Sequence, residues 1–372
     1  MNNLDKFNLF FFIVLFFGLF ILDFKVLGIN FTTFLIVIPI FVNLNKNIIN
    51  LFKNHFYFKF FTLFYFSYGI ILILVHNIDF INLVKSVSPY LYSFFPLIIF
   101  KSFSNPVFQR RVALFLKIVF LVFLLFFFAT YDANNEGVLE VFKFTRRTVL
   151  GYFFIYLFVF IYLIEKKRLV RILLLISILV EMVVNSSRGP FIIILLFIFY
   201  NFKLQYGYKV IPYLVLVGLF ISLSYDYISP DSYLGNMSKR VSTIFDIQQE
   251  SSSNYRLSVF NASILYGMNN PFGGGYESFS NEFDNYSILD LTYAEDYKTD
   301  NTFAKIIFEV GFIPIFFLIG FIFSLLRSKN NIMAFLSIMI AVNFLLDDSL
   351  NSLLFMSFTL LSLGKQITSK NK

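Results

Sequence analysis

Long apolar runs recur along this chain, and they constrain its fold more than any other feature. Most contain roughly 15–20 residues, enough to cross the ~30 Å hydrocarbon layer of a bilayer as an α-helix. Hydrophobic residues make up 58% of the chain and charged residues 14%, whereas soluble domains average about 45–50% and 25%. This pattern excludes an ordinary soluble enzyme, a disordered chain and a nucleic-acid-binding domain.

The runs are bounded by charged residues, Asn or Pro, and predict an all-α polytopic membrane protein with about twelve transmembrane helices. The predicted spans are 7–22, 26–42, 56–75, 87–100, 112–130, 148–164, 170–185, 190–202, 210–226, 301–326, 332–346 and 350–364. Residues 1–226 then form a membrane domain of about nine spans, and 227–300 form one long outer loop. Residues 301–372 hold the last three spans and a tail.

Lys and Arg are distributed unevenly between the two sides that these spans define. With the N-terminus in the cytoplasm, the inner segments hold 17 Lys and Arg, and the short outer segments hold six. Cytoplasmic loops of membrane proteins carry such an excess, and mainly short loops determine orientation. Both termini are therefore predicted to be cytoplasmic, and the net charge of +8 does not indicate a nucleic-acid partner.

The long loop 227–300 is predicted to contain two amphipathic helices. Apolar residues at helical spacing indicate the first helix, and they are Met237, Val241, Ile244 and Ile247. The second helix is predicted from about Asn254 to Tyr266, with Ser253 as its cap and Gly267 as its terminating glycine. Its predicted apolar stripe is Leu257, Phe260 and Ile264.

Several arginines are predicted on the outer side, against the positive-inside tendency, and four of them are candidates for a site. Arg188 stands in a short turn, Arg146 and Arg147 at the outer end of the sixth span, and Arg256 in the first turn of the second loop helix. Guanidinium groups bind phosphate oxygens in pairs and keep their charge, and a helix N-terminus adds partial positive charge beside Arg256. The set therefore indicates an anion site, while any single arginine could instead contact headgroups or a loop carboxylate.

A glycine-rich turn follows the second loop helix. Gly273, Gly274 and Gly275 can accept positive φ and expose backbone N–H groups to a phosphate or sugar. With the neighbouring Tyr276, they are candidate substrate-binding residues. The alternative is a flexible turn without a ligand.

Asp300 and Asn301 stand where the long loop returns to the tenth span. Either side chain could simply cap the helix. Asn301 is a candidate substrate-binding residue, and the Asp300 carboxylate could accept a proton from a sugar hydroxyl. Glu277 is a second candidate base, and further loop carboxylates compete for that role: Glu282, Asp284, Asp290, Glu295 and Asp296.

Metal and cofactor chemistry have no sequence signal in this chain. There is no Cys, and neither His55 nor His76 stands at metal-ligand spacing from other His, Asp or Glu residues. Walker-type and dinucleotide-binding motifs are also absent. We therefore expect no metal, no cofactor and no direct use of ATP.

The order of the short motifs resembles the O-antigen polymerase and ligase superfamily, and most closely its Wzy-type polymerases. Ser-Ser-Arg-Gly stands at 186–189, and Gly267 follows Arg256 by eleven positions. Asn-Pro-Phe-Gly-Gly-Gly at 270–275 comes next, and then Asp300-Asn301 leads into Phe-Glu-Val-Gly-Phe at 308–312. The topology resembles the superfamily over nearly the whole chain, and the motifs resemble it over about 186–312.

This resemblance implies a GT-C-like membrane glycosyltransferase of the bacterial inner membrane, with its active site on the periplasmic side. Such polymerases transfer a growing glycan from undecaprenyl pyrophosphate onto a carrier-linked repeat unit of O-antigen or capsule. Arg188 and Arg256 match the positions expected to hold the pyrophosphate. The chain-length regulator and flippase of the same pathway are implied as partners, besides membrane lipid.

Two other functions stay open at this point. Ligases of the superfamily carry a His-Asn pair where the loop returns to the membrane, and the Asp300-Asn301 pair of this chain favours a polymerase. A lipid-linked glycan transporter or flippase would suit twelve spans. Transporters often show two related halves, whereas this chain has its long loop in one half only.

Overall fold

The computed structural model describes a subset of the chain, within which the fold is helical apart from one pair of two-residue strands. The described residues are 1–20, 25–26, 29–43, 63, 67, 70, 91–92, 95–96, 99–130, 147–185, 190, 193–198, 251–275, 278–286, 302–327, 331–346, 355–357 and 359–364. The first elements are α1 Asn3–Phe20, β1 Lys25–Val26, β2 Ile29–Asn30, α2 Phe31–Val42, a 3-10 helix Ile99–Ser104, α3 Pro106–Thr130, α4 Arg147–Ile164 and α5 Arg168–Asn185. The later helices are α6 Ser251–Asn269, α7 Ser278–Tyr286, α8 Thr302–Val310, α9 Phe312–Leu326 and α10 Asn331–Leu346.

The all-α prediction is confirmed for the described residues, and several helices coincide with predicted spans. Among these residues, no helix combines the length and apolar character needed to cross a membrane. The number of spans therefore stays a prediction. The predicted loop helix at 237–247 and the predicted span 210–226 lie outside the described residues.

Helix α4 is the centre of the main core. Every residue from 150 to 161 is buried, as expected for a helix that is apolar on all faces. Aromatic contacts join it to its neighbours: the ring centroids of Phe153 and Phe16 lie 5.8 Å apart, and those of Phe154 and Phe120 lie 5.5 Å apart. The abundant phenylalanine of the sequence thus fills the space between α1, α3 and α4.

A buried polar cluster joins the ends of α1, α2 and the 3-10 helix. The Asn8 amide donates to Ser102 Oγ at 2.9 Å, and the Asn43 amide donates to Asn8 Oδ1 at 2.9 Å. Nearby, the Asn105 amide donates to the Asp5 carboxylate at 2.8 Å. Buried amides are costly unless they are hydrogen-bonded, so these pairs fix how the three elements meet.

Helix α3 begins earlier than the predicted span at 112. Asn105 Oδ1 accepts a hydrogen bond from the Val107 N–H at 3.0 Å, as an N-cap side chain does. Pro106 follows at the first helical position, where its missing N–H is tolerated. The helix therefore starts before its apolar run, because capping residues rather than hydropathy determine its first turn.

An ion pair joins α3 to the end of α4. Lys117 Nζ donates to the Glu165 carboxylate, which also accepts hydrogen bonds from the N–H groups of Lys166 and Lys167 at 2.9 Å. The hydrogen bond from Lys117 is the largest of several interactions that lower the pKa of Glu165 below its usual value of 4.5. The charged carboxylate is thus favoured in the folded state.

Glu165→Gln is expected to lower the free energy of unfolding by about 1 kcal/mol at pH 7. Because the folded pKa of Glu165 is lowered, its stabilisation is present above the unfolded pKa and is lost as pH falls through the folded value. The wild type and the variant should therefore converge in acid. Chemical unfolding of the purified proteins at pH 7 and pH 3 measures this, with exposed Lys166→Gln as the control. An equal difference at both pH values would contradict the assignment.

The segment 301–326, predicted as one span, is two helices. α8 ends at Val310 and α9 begins at Phe312, with Gly311 between them at φ 89°. Pro314 lies in the first turn of α9, and a proline there cannot donate to the carbonyl of Val310. A continuous helix is therefore disfavoured at this point, and the break lies beside the glycine-rich turn.

Candidate functional site

The structure describes some of the candidate site residues. The backbone of Arg256 lies in α6, Arg147 is the first residue of α4, and Gly273, Gly274 and Gly275 form a turn after α6. The remaining candidates lie outside the described residues: Arg146, Arg188, Tyr276, Glu277, Asp300 and Asn301. The geometry therefore bears on the glycine turn and on the helix that carries Arg256.

Helix α6 is longer at both ends than predicted. It begins at Ser251, so Arg256 lies in its second turn, and the predicted position in the first turn is wrong. Gly267 lies inside the helix, so its predicted role as the terminating residue is also wrong. A Cβ at Gly267 would lie 2.5 Å from Cε2 of Phe312 and 2.7 Å from Cγ2 of Ile307. This glycine therefore permits close packing of α6 against the helix break.

The buried face of α6 is not the predicted one. Phe260 is 39% exposed, whereas Val259, Ala262 and Tyr266 are buried. The prediction took the bulkiest apolar residues as the inner stripe. The actual inner face uses small residues and a tyrosine, because α6 packs closely against α8 and α7.

Phe308 is the centre of a second core that joins α6, α7 and α8. Its ring stacks on Tyr266, with centroids 4.3 Å apart and planes at 21°. Phe279 contacts it edge-on, with centroids 4.9 Å apart and planes at 82°. Helix α7, which the sequence analysis did not predict, supplies Phe279 and Phe283 to this core. An acidic segment therefore has a buried aromatic face.

The break between α8 and α9 leaves backbone groups that a continuous helix would pair internally. The turn supplies partners for them: the N–H of Gly274 donates to the Phe308 carbonyl at 2.8 Å, and that of Gly275 to the Glu309 carbonyl at 3.1 Å. The Phe312 N–H donates to the Pro271 carbonyl at 3.1 Å. We call this arrangement the glycine clasp. It comprises residues 271–275 and Ser278 on one side and residues 308–312 on the other.

Ser278 adds a side-chain hydrogen bond to the clasp. Its hydroxyl donates to the Phe308 carbonyl at 2.7 Å, and its backbone N–H donates to the Gly275 carbonyl at 3.2 Å. Ser278 is 6% exposed. The Phe308 carbonyl therefore accepts two hydrogen bonds in a buried position, which rigidly joins the turn to the end of α8.

Glycine is required at the two points where the backbones of the clasp meet. Gly273 has φ 74°, and a Cβ there would lie 2.6 Å from the Glu309 carbonyl carbon. Gly311 has φ 89°, and a Cβ there would lie 2.1 Å from the Pro271 carbonyl oxygen. Residues with a side chain rarely adopt such φ values. The contacting atoms belong to the backbone and cannot move aside without a large cost in energy.

The prediction that the turn exposes its N–H groups is wrong. The N–H of Gly273 donates to the Asn270 carbonyl at 2.9 Å, and those of Gly274 and Gly275 donate to α8, as described above. The predicted positive φ is confirmed at Gly273 and Gly275. The close backbone approach is therefore made to α8 within this chain.

Tyr266 connects the aromatic core to the clasp. A Cβ on Gly274 would lie 2.1 Å from the Tyr266 hydroxyl oxygen, so the phenol lies directly against the turn. Burial, followed by the negative charge of Glu282, raises the pKa of Tyr266 above its usual value. The hydrogen bond with Ser278 opposes this increase. The phenol therefore stays neutral well above neutral pH.

The roles of Gly311 and Ser278 were not predicted from the sequence. A signal for Gly311 was present, since Pro314 follows it by three positions within an apolar run. No local signal marks Ser278, because its partner is thirty residues away in the chain. Within the described part of the chain, no group of three His, Asp or Glu residues could hold a metal ion.

Residues 173–319 match the sequence model of a family described as O-antigen ligase. The matched region starts within α5, contains the whole clasp and ends within α9. A search of curated proteins finds no match to this chain.

Proposed function

We propose that this chain is a member of the O-antigen polymerase and ligase superfamily, which the match over residues 173–319 supports, and that it is of the polymerase type. The superfamily covers polymerases and ligases, which are membrane enzymes of the O-antigen pathway. The proposed reaction moves a growing glycan from undecaprenyl pyrophosphate onto a repeat unit linked to a second undecaprenyl pyrophosphate. The product belongs to O-antigen or capsule.

The proposed transfer needs no external energy source, because the donor carries its own leaving group. A hydroxyl oxygen of the acceptor sugar attacks the anomeric carbon of the donor glycan. The bond from that carbon to the pyrophosphate oxygen breaks, and undecaprenyl pyrophosphate leaves with the electron pair. The hydroxyl proton passes to a base, for which we propose Asp300 or Glu277.

Arg188 and Arg256 are the proposed partners of the departing pyrophosphate. Negative charge develops on the leaving oxygen as the bond breaks, and preorganised cations stabilise this charge in the transition state. Guanidinium groups keep their own charge and bind two phosphate oxygens at once. We propose that Arg146, Arg147, Tyr276 and Asn301 contact the substrates beside this pair, and that Gly273, Gly274 and Gly275 form the backbone wall of the site.

The absence of histidine from the matched region supports the polymerase over the ligase. Ligases of the superfamily have a His-Asn pair at the loop return, whereas this chain has Asp300-Asn301 there. The two histidines of the chain, His55 and His76, both precede residue 173. The ligase is the second candidate, because the matching family is described by that activity.

The proposed setting is the bacterial inner membrane, with both termini in the cytoplasm and the transfer site on the periplasmic side. The surplus of Lys and Arg in the short inner segments supports this orientation. The long loop 227–300 and the clasp then lie at the outer surface, where the carrier lipid presents its pyrophosphate.

Reconstitution of the purified chain in vesicles with one defined undecaprenyl-pyrophosphate-linked repeat unit tests the proposal. We expect a ladder of products, each longer by one repeat unit, without ATP or added metal. A second reaction adds a lipid acceptor that carries no pyrophosphate. Transfer of a preformed glycan to that acceptor, without elongation in the first reaction, would show a ligase and overturn the polymerase proposal.

A further inference from the structure

We propose that the glycine clasp positions the transfer site by holding α6, the helix of Arg256, against α8, the helix that follows Asp300. This inference rests on the proposed function. It assigns Gly273, Gly311 and Ser278 a positioning role.

The contacts of the clasp carry this inference. The carboxyl ends of α6 and α8 meet there, and both helices bury side chains upstream of that meeting point in one cluster around Phe308. The segment before the clasp carries Arg256, and the segment before α8 carries Asp300. Two helices joined at one end and packed along their faces keep a fixed separation at the other end. The clasp thus fixes the separation between the amino-terminal part of α6, which carries Arg256, and the start of α8, which follows Asp300 by two positions in the sequence.

The geometry also explains why glycine is found on both sides. A side chain at Gly311 would contact the Pro271 carbonyl oxygen, and one at Gly273 would contact the backbone of Glu309. Either change must separate the two backbones and lengthen the hydrogen bonds to Phe308 and Glu309. The glycine N–H groups already have carbonyl partners, so binding a phosphate would require these bonds to break.

Gly311→Ala is the direct test, and Gly320→Ala in α9 is the matched control. Gly320 lies within a regular helix, where alanine is favoured over glycine. The chain contains no Cys, so two introduced cysteines can carry spin labels at unique positions. Met268 and Phe316 are suitable, because each is 70% exposed and they lie on α6 and α9.

We expect a narrow distribution of label distances in the wild type and in Gly320→Ala, and a broad or shifted one in Gly311→Ala. In the elongation assay, kcat of Gly311→Ala should fall about tenfold or more, while KM for the lipid-linked repeat changes less than threefold. A small displacement of reacting groups has this effect on rate. An unchanged distance, or a broadened distance with unchanged kcat, would overturn the proposal.

Ser278 provides a milder test in case Gly311→Ala does not fold. Ser278→Ala removes one of the two donors to the Phe308 carbonyl, and Ser278→Thr retains the hydroxyl. We expect kcat to fall severalfold in the alanine variant and to recover in the threonine variant. Equal kcat in both would overturn the positioning role. If the wild type itself does not elongate glycan, the proposed function fails, and the label distances still decide whether the clasp holds α6 in place.

Discussion

Arg256→Ala is expected to lower the rate of glycan elongation by a factor on the order of 10² to 10³, with the protein still folded and inserted. The reason is the loss of a fixed positive charge beside the pyrophosphate as it departs. Arg188→Ala should have an effect of the same order, because both arginines are proposed to contact that group. The measurement is the initial rate of product-ladder formation from a defined lipid-linked repeat unit.

Two control variants make the arginine prediction specific. Arg256→Lys keeps the charge but loses the paired hydrogen bonds, so its rate should lie between those of the wild type and the alanine variant. Arg111→Ala removes an exposed arginine of α3, far along the chain from the loop, and should elongate normally. Normal long-chain glycan from both Arg256→Ala and Arg188→Ala would show that these arginines do not hold the pyrophosphate.

Phe308→Ala is expected to destabilise the second core by about 3–5 kcal/mol. The ring is fully buried, stacks on Tyr266 and contacts Phe279. Its removal leaves a cavity between α6, α7 and α8. Because this core is separate from the one around α4, the loss should be local.

Hydrogen exchange of the purified protein measures this effect by segment. Protection should fall in α6, α7 and α8 of Phe308→Ala, while α4 stays protected. The matched control is Phe316→Ala, which removes a phenylalanine that is 70% exposed and should leave protection in all four helices unchanged. Uniform loss of protection, including α4, would show that the two cores unfold as one unit.

Local patterns allowed much of the helical framework to be predicted. Apolar runs end where charges or turn residues begin, and α4 and α10 lie within one residue of their predicted limits. The second loop helix was also predicted, because Asn254–Tyr266 has helical spacing and flanking Ser and Gly. Its buried face was not predicted correctly. Periodicity favours the largest apolar residues as the inner face, whereas close packing against the partner helix requires small ones.

Only part of the site followed from local sequence. Positive φ at Gly273 was predictable from residue type, because glycine accepts it without a steric cost. The partner of the turn could not be predicted in this way, because Gly274 and Phe308 are far apart along the chain. Helix α7 was missed because acidic and polar residues conceal the spacing of Phe279 and Phe283.

The sequence by itself indicated the helical class, the candidate arginines and the resemblance to the superfamily, because these depend on residue type, spacing and order. The tertiary structure alone decided what the glycines do. Their N–H groups are donors that either a phosphate or a carbonyl could accept, and local sequence does not distinguish the two. Folding brings the broken end of α8 to the turn, and its carbonyls accept hydrogen bonds from the glycines in place of the N–H groups that a continuous helix would supply.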